Sequence, residues 1–304
     1  MHYKTILALT DLSAGGNEAV QRAAVVAANC GAELRLMYLP VANHPVWPYD
    51  EAHLNELART VAKAAGVRVK VTRLRGTSPE DIAVEANCAD LLVLTYRPEC
   101  QVDTFFKGEL HQRVMRLTRC PLLLTRLNGR IRYTKISVAI DFTEAAQQLT
   151  VHAGQMDDRA ELELFHAVSN KDEAKLLSAD VSWDMIKKFR SQQDAYAQKR
   201  LHELRQGISI GGRLPVFSLS NGEPARQTSL RQQGSGATLI AVGKSRQSAL
   251  KEFLCGSVSS RVLLWSSSDV LIVPHDSRSS SRAAAKQRIA IQTGGRKGQR
   301  FSNT

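Results

Sequence analysis

The second half of this 304-residue chain repeats the first, and that repeat constrains the fold more than anything else in the sequence. KTILALTDLS at Lys4 returns as TKISVAIDFT at Thr134, and AELRLMYLP at Ala32 returns as AELELFHAV at Ala160. ADLLVLT at Ala89 returns as ATLIAVG at Ala237. FFKGELHQRVMRLTRCPLLLTR at Phe105 returns as FLCGSVSSRVLLWSSSDVLIVP at Phe253, and these last two pairs share one offset of 148 residues. Four blocks matched in the same order mean one domain present twice, joined near Leu127–Arg132. The length, about twice a common domain, agrees. The expected organisation is a first domain at 1–127, a second at 133–275 and a tail at 276–304.

Each repeated block is a short β-rich run bounded by turn or polar residues, with helix-length segments between. Runs with so little polar alternation suit parallel strands buried on both faces. Strands are expected over 4–9, 33–39, 68–74, 90–95 and 121–126, then over 135–140, 161–167, 214–219, 237–242 and 269–274. Helices are expected over 15–29, 50–65, 79–88 and 107–118, then over 144–157, 183–206, 224–233 and 257–266. The strand–helix alternation makes the fold class α/β, two tandem domains with parallel strands joined by right-handed crossovers and flanked by helices. Ligands in such sheets sit beyond the carboxyl ends of the strands, so the loops after the first and fourth strands are the places to look. In 183–206, Trp183, Ile186, Phe189, Ala197, Leu201 and Leu204 fall near helical spacing with Lys and Arg between them. A basic amphipathic helix could meet a partner or a membrane surface. Packing on its own sheet is the simpler expectation.

Composition bounds the function classes. Apolar residues make up 43% and charged residues 23%, values that exclude a mostly disordered chain. Mean hydropathy is −0.23, and no run approaches the ~20 apolar residues of a membrane helix. The opening MHYKTILALTDLS holds too short an apolar stretch for a signal peptide, so a soluble, cytoplasmic protein without a membrane span is expected. The net charge of +12 points toward nucleic acid or an acidic surface. Yet residues 1–130 carry only +3 and residues 131–275 another +3; the remaining +6 lies in 276–304. That tail, rich in Ser, Arg, Gln and Gly, is expected to be disordered and to offer at most a weak, nonspecific hold on an acidic partner. Five cysteines without a CxxC pair argue against a disulfide framework or a four-ligand zinc site. They read instead as small buried residues in a reducing compartment.

The chemistry-bearing segment lies in the second copy. The strand ATLIAV runs into Gly243-Lys244-Ser245-Arg246, and nine residues later Gly256-Ser257-Val258 opens the last helix. Glycines let a backbone approach a phosphate closely, and a helix N-terminus offers unpaired N–H groups and a positive dipole end. Ser257 can cap that helix or donate to an oxygen. Together with VSSRVLLWSSSDVLIVP and an Asp closing the first strand of each copy (Asp11, Asp141), this pattern resembles the universal stress protein family over residues 3–275.

The resemblance implies a five-stranded doubly wound sheet related to the adenine-nucleotide alpha-hydrolase-like and Rossmann-like folds. It implies a stress-response role and, in some members, ATP binding through a Gly-two-Gly-nine-Gly-Ser pattern. Carried over, Asp141 would meet the ribose or adenine and Val168 would lie in the adenine pocket. Gly243 and Gly256 would let the backbone approach the phosphates, and Ser257 with the Val258 N–H would bind them. Arg246 stands where the family has its second glycine; it adds bulk, but a guanidinium is also a good phosphate partner. ATP with Mg²⁺ is the candidate cofactor.

The first copy has Thr95, Pro98, Gly108 and Glu109 at the corresponding positions. Thr and Pro replace glycines, and the Glu109 carboxylate at a helix start would repel a phosphate. This copy is read as degenerate. No GxxxxGK[ST], strand-following GxGxxG, GxSxG or HExxH motif occurs, so no catalytic residue is nominated and the chain is not expected to be an enzyme. His166 could line the second-copy site, though a satisfied core histidine is the commoner case. The expected protein is a binding or regulatory module whose domains pack as an internal pseudo-dimer, with a homo-oligomer as a candidate second level. The alternative is a nucleotide-independent structural or protein-interaction module.

Overall fold

The structure, a computed structural model, describes residues 3–39, 49–72, 78–96, 110–179, 181–207, 212–244 and 258–275. The chain divides into two compact units, residues 2–130 and 131–275. The first contains β1 (Thr5–Thr10), α1 (Ala14–Cys30), β2 (Glu33–Tyr38), α2 (Tyr49–Ala65), β3 (Val69–Val71), α3 (Pro79–Ala86), β4 (Leu91–Thr95), α4 (Leu110–Leu117) and β5 (Leu122–Thr125). Its strands pair in parallel in the order β3-β2-β1-β4-β5.

The second unit contains β6 (Lys135–Ala139), α5 (Ala145–Gly154), β7 (Glu161–Val168), α6 (Lys171–Ser178), α7 (Trp183–Gly207), β8 (Val216–Asn221), α8 (Pro224–Ser235), β9 (Leu239–Lys244), α9 (Val258–Trp265) and β10 (Asp269–Pro274). Its parallel order, β8-β7-β6-β9-β10, is that of the first unit. In both sheets the chain reverses its direction of travel between the first and fourth strands. The carboxyl ends of β1 and β4, and of β6 and β9, therefore border the switch-point crevice.

Continuous apolar runs place these strands at the centre. Ile6, Leu7, Ala8, Leu34, Leu36, Leu91 and Leu92 are fully buried in one unit, as are Val138, Leu164, Leu239, Ile240 and Leu271 in the other. Each such aliphatic side chain contributes roughly 1.5–3 kcal/mol. Small residues let α1 lie close to its sheet, where Ala19, Ala23 and Ala27 have no exposure. The helix is capped by Ser13, which accepts from the Gly16 N–H, and is stopped by Gly31 in the left-handed region at φ 65°. Ser78 and Asp81 form a capping box on α3, and Pro79 pre-sets its first turn. Strand starts are pinned by different residues in the same place. Asp90 Oδ2 accepts from the Lys4 and Thr5 N–H groups, while the Thr238 hydroxyl oxygen accepts from the Thr134 N–H.

One buried charge pair recurs with its polarity reversed. Arg35 on β2 meets Glu85 on α3 at 2.6 Å. In the second unit Glu163 on β7, fully buried, accepts from Arg231 Nε on α8 at 2.8 Å and from the Ser218 hydroxyl at 2.8 Å. Arg35 is in register with Leu7 and Glu163 with Ser137, so the two strand residues occupy equivalent places.

Three details differ from the sequence expectations. The described part of the third strand is only Val69–Val71, with 73–77 outside the described residues. Lys171–Ser178 forms an unexpected short helix. Trp183, expected on the packed face of its helix, is 56% exposed, whereas Ile186, Ala197 and Leu201 are buried. Trp183 is the first residue of α7 and precedes the stretch that packs. Among the described residues, no helix is long and apolar enough to cross a membrane.

Candidate functional site

At the carboxyl end of β6 the chain passes through Ile140 and Asp141 into a tight turn. Phe142 sits in the left-handed region at φ 60°, which is uncommon for an aromatic residue and costs on the order of 1–2 kcal/mol. Such a conformation persists only where neighbours hold it. Here the Phe142 ring lies on the His166 imidazole, centroids 4.0 Å apart and 33° between planes, and the Phe142 carbonyl is 3.5 Å from Arg200 Nη2 of α7. Asp141 Oδ1 accepts from the Thr143 N–H at 3.2 Å and the Thr143 hydroxyl at 2.7 Å, a side-chain turn that leaves the carboxylate exposed.

His166, on β7, is fixed through Nδ1, which donates to the Ile140 carbonyl at 2.7 Å. That bond assigns the tautomer and leaves Nε2 as an acceptor. Burial pulls its pKa below the ordinary histidine value; the Ile140 carbonyl and the Asp141 charge oppose the shift without cancelling it. The imidazole is therefore neutral near pH 7. Val168 closes β7, half-buried, with its carbonyl accepting from the Gly222 N–H at 2.9 Å.

Across the crevice, Gly243 lies near the carboxyl end of β9, in register with Val273 of β10. The point where its side chain would begin lies 2.6 Å from Nε2 of His275. Lys244 follows, and its carbonyl accepts from the His275 N–H at 3.0 Å. Val258 opens α9 with 38% exposure. Of the expected site residues, Asp141, Val168, Gly243 and Val258 all belong to loops or element ends on this side of the sheet. Arg246, Gly256 and Ser257 lie outside the described residues. Phe142, Arg200 and His275 were not singled out from sequence. The signal for Phe142 was its place directly after the shared Asp; His275 had only its place after the last strand.

The first unit carries the same turn in another state. Leu12, after Asp11, has φ 63°. Asp11 Oδ1 accepts from the Ser13 N–H at 3.1 Å and the Ser13 hydroxyl at 2.5 Å. It also lies against Gly16, where a Cβ would collide with it. At the end of β4, Thr95 donates its hydroxyl to the Gly15 carbonyl at 2.6 Å, tying β4 to the first turn of α1. The next residue, Tyr96, lies under the Arg126 guanidinium at 4.0 Å. The crevice between β1 and β4 is thus bridged by a hydrogen bond that Gly243 has no side chain to make. Pro98, Gly108 and Glu109 lie outside the described residues.

Chemically, the second-unit crevice offers an exposed carboxylate, an aromatic–imidazole pair with a free ring acceptor, and Lys244 and His275 at its other side. That set can accept from hydroxyl groups, stack a planar ring and donate to an anion. Among the described residues, no three His, Cys, Asp or Glu side chains gather as a metal site would need.

Comparison with known proteins places this geometry. The 29%-identical universal stress protein YxiE of Bacillus subtilis matches over 150 residues, 46% of this chain and 99% of that protein. A universal stress protein from Archaeoglobus fulgidus superimposes with a TM-score of 0.62 at 15% identity, covering 89% of this chain and 98% of its own. A functionally unknown protein from Pseudomonas aeruginosa PAO1 does so with a TM-score of 0.64 at 18% identity, covering 94% and 98%. The universal stress protein family model matches twice, over residues 2–126 and 132–274. With the sheet order of each unit and this double match, the chain belongs to the universal stress protein family and carries two of its domains in tandem.

Proposed function

We propose that the second unit binds an adenine nucleotide, ATP with Mg²⁺, and that the chain acts in the cytoplasm as a binding or regulatory protein rather than as an enzyme. The observation that carries this reading is a difference between the two units at the carboxyl ends of their first and fourth strands. Gly243 stands where Thr95 closes the first unit, and Asp141 is exposed where Asp11 is packed against Gly16. The exposed Asp141 carboxylate would accept from ribose hydroxyls. The base would lie near Val168 and the Phe142–His166 pair. Lys244, the Gly243 backbone and the segment through Arg246, Gly256, Ser257 and Val258 would meet the phosphates. Nucleotide binding would then bias the conformation or partners of the protein.

A second reading is an interaction module that needs no nucleotide. It is favoured by Trp183, Met185 and Tyr196, which stand 56%, 64% and 57% exposed on α7. The two readings separate in one experiment. Freshly purified protein is denatured, its released nucleotides are identified by chromatography, and the protein is then titrated calorimetrically with ATP and Mg²⁺. Released adenine nucleotide or a saturating heat supports the first reading. Neither signal at high protein concentration overturns it in favour of the second.

A further inference from the structure

Gly243 has a use that needs no ligand: the space of its missing side chain is filled by an imidazole. His275 Nε2 lies 2.6 Å from where a Cβ would stand, closer than any real Cβ tolerates. Two constraints fix the backbone that carries the ring. Pro274, whose ring fixes its own φ, is in register with Lys244, and the His275 N–H donates to the Lys244 carbonyl at 3.0 Å. His275 is half-buried, so its ring lies over the end of β9 rather than out in solvent. The carboxyl end of β9 is one wall of the switch-point crevice, and Lys244 is the next residue along it. In the first unit Leu127 stands at the corresponding position. Thr95 occupies the glycine position, and the nearby cation, Arg126, is turned onto the Tyr96 ring.

We propose that His275 is a ligand-contacting residue of the second-unit site, donating through its imidazole to a phosphate oxygen of the bound nucleotide beside Gly243 and Lys244. This inference rests on the nucleotide reading above and adds to it a basis for specificity. The contact reads the phosphate and not the base, so it separates a nucleotide from its nucleoside. It also changes the reason for Gly243. The glycine seats His275, and a methyl group there would push the ring away from the phosphate side, since the atom it meets is the far end of a flexible side chain.

The test is calorimetric titration of the full chain with Mg²⁺-ATP and with adenosine, using wild type, His275→Ala, His275→Gln and Gly243→Ala, each first shown to melt like wild type. A lost hydrogen bond to a charged group should weaken ATP about 10-fold or more in His275→Ala. Gly243→Ala should do the same, and adenosine should be unchanged in both. His275→Gln, which keeps a donor, should recover most of the loss. Unchanged ATP affinity in His275→Ala overturns the inference while leaving the nucleotide reading intact, as does an equal loss for ATP and adenosine. A wild-type protein that binds neither ligand overturns both.

Discussion

The two units are built on one scaffold and part company at a handful of side chains beside the crevice. Both keep the Asp after the first strand, and both keep a non-glycine residue in the left-handed region behind it, Leu12 at φ 63° and Phe142 at φ 60°. What holds that turn differs. In the first unit the support is local: Asn17 donates to the Leu12 carbonyl at 3.4 Å, and the Leu12 N–H donates to the Thr10 hydroxyl oxygen at 2.9 Å. In the second unit the support comes from β7 and α7, through His166 and Arg200. Gly16 makes room for Asp11 to fold inward; at the corresponding place stands a buried Ala146, and Asp141 faces water. Thr95 bridges one crevice to the Gly15 carbonyl, whereas at Gly243 the His275 imidazole takes the corresponding space. A duplicated fold can retain its strained turn and its carboxylate while a few short side chains decide whether a ligand can reach them.

The largest difference to break is the reversed charge pair. Arg231→Leu leaves Glu163 buried without its cation and should cost about 3–5 kcal/mol in urea unfolding. Arg35→Leu strands Glu85, which keeps some contact with water, and should cost less. Exchanging both residues, Glu163→Arg with Arg231→Glu, copies the first unit's polarity and should recover part of the loss. A cost for Arg231→Leu within the noise of Arg35→Leu would mean that the two pairs are equally solvated, against the burial described.

Next in size is the bridge that closes the first crevice. Thr95→Gly removes one partly buried hydrogen bond and adds a glycine to a strand end, so it should lower stability by about 1–2 kcal/mol. It should not create a second ATP site, because Asp11 still lies inward against Gly16. A gain of ATP binding on Thr95→Gly would show that the bridge alone separates the two units.

The smallest effect is the pH dependence set by His166. Its pKa is held below the ordinary 6.5 by burial, so the unfolded chain takes up a proton before the folded one does. The stability that comes from keeping the ring neutral is full above pH 6.5 and falls as the pH drops toward the lowered value. The first unit has Tyr38 at that place. The melting temperature should therefore drop between pH 7.5 and 5.5, and His166→Gln should flatten the drop. An unchanged pH profile in His166→Gln would contradict the assignment.

The fold was legible because its signals are local. Continuous apolar runs such as LLVLT and DVLIVP mark central strands, Ser13 and Ser78 mark helix starts, and Gly31 and Gly236 mark helix ends. The repeat indicates that the two units share one strand order, and the doubly wound order itself comes from the family resemblance rather than from periodicity. The crevice was legible only in part. Asp141, Val168 and Gly243 stand where a shared pattern points, but the features that separate the units are contacts between distant residues. Thr95 meets Gly15 across 80 residues, Arg200 meets Phe142 across 58, and His275 fills the space of Gly243. None of these has a spacing that periodicity reveals. The short helix Lys171–Ser178 was missed because its run, KDEAKLLS, has too few apolar residues to show a face.

On the proposed reading the second unit takes a nucleotide and the first does not. The most direct test is the number of ATP molecules bound per chain, measured by equilibrium dialysis with Mg²⁺ on wild type, Asp11→Ala and Asp141→Ala. The proposed nucleotide reading predicts one ATP per chain, retained in Asp11→Ala and lost in Asp141→Ala. Two ATP per chain, or binding that survives Asp141→Ala and disappears in Asp11→Ala, would contradict it.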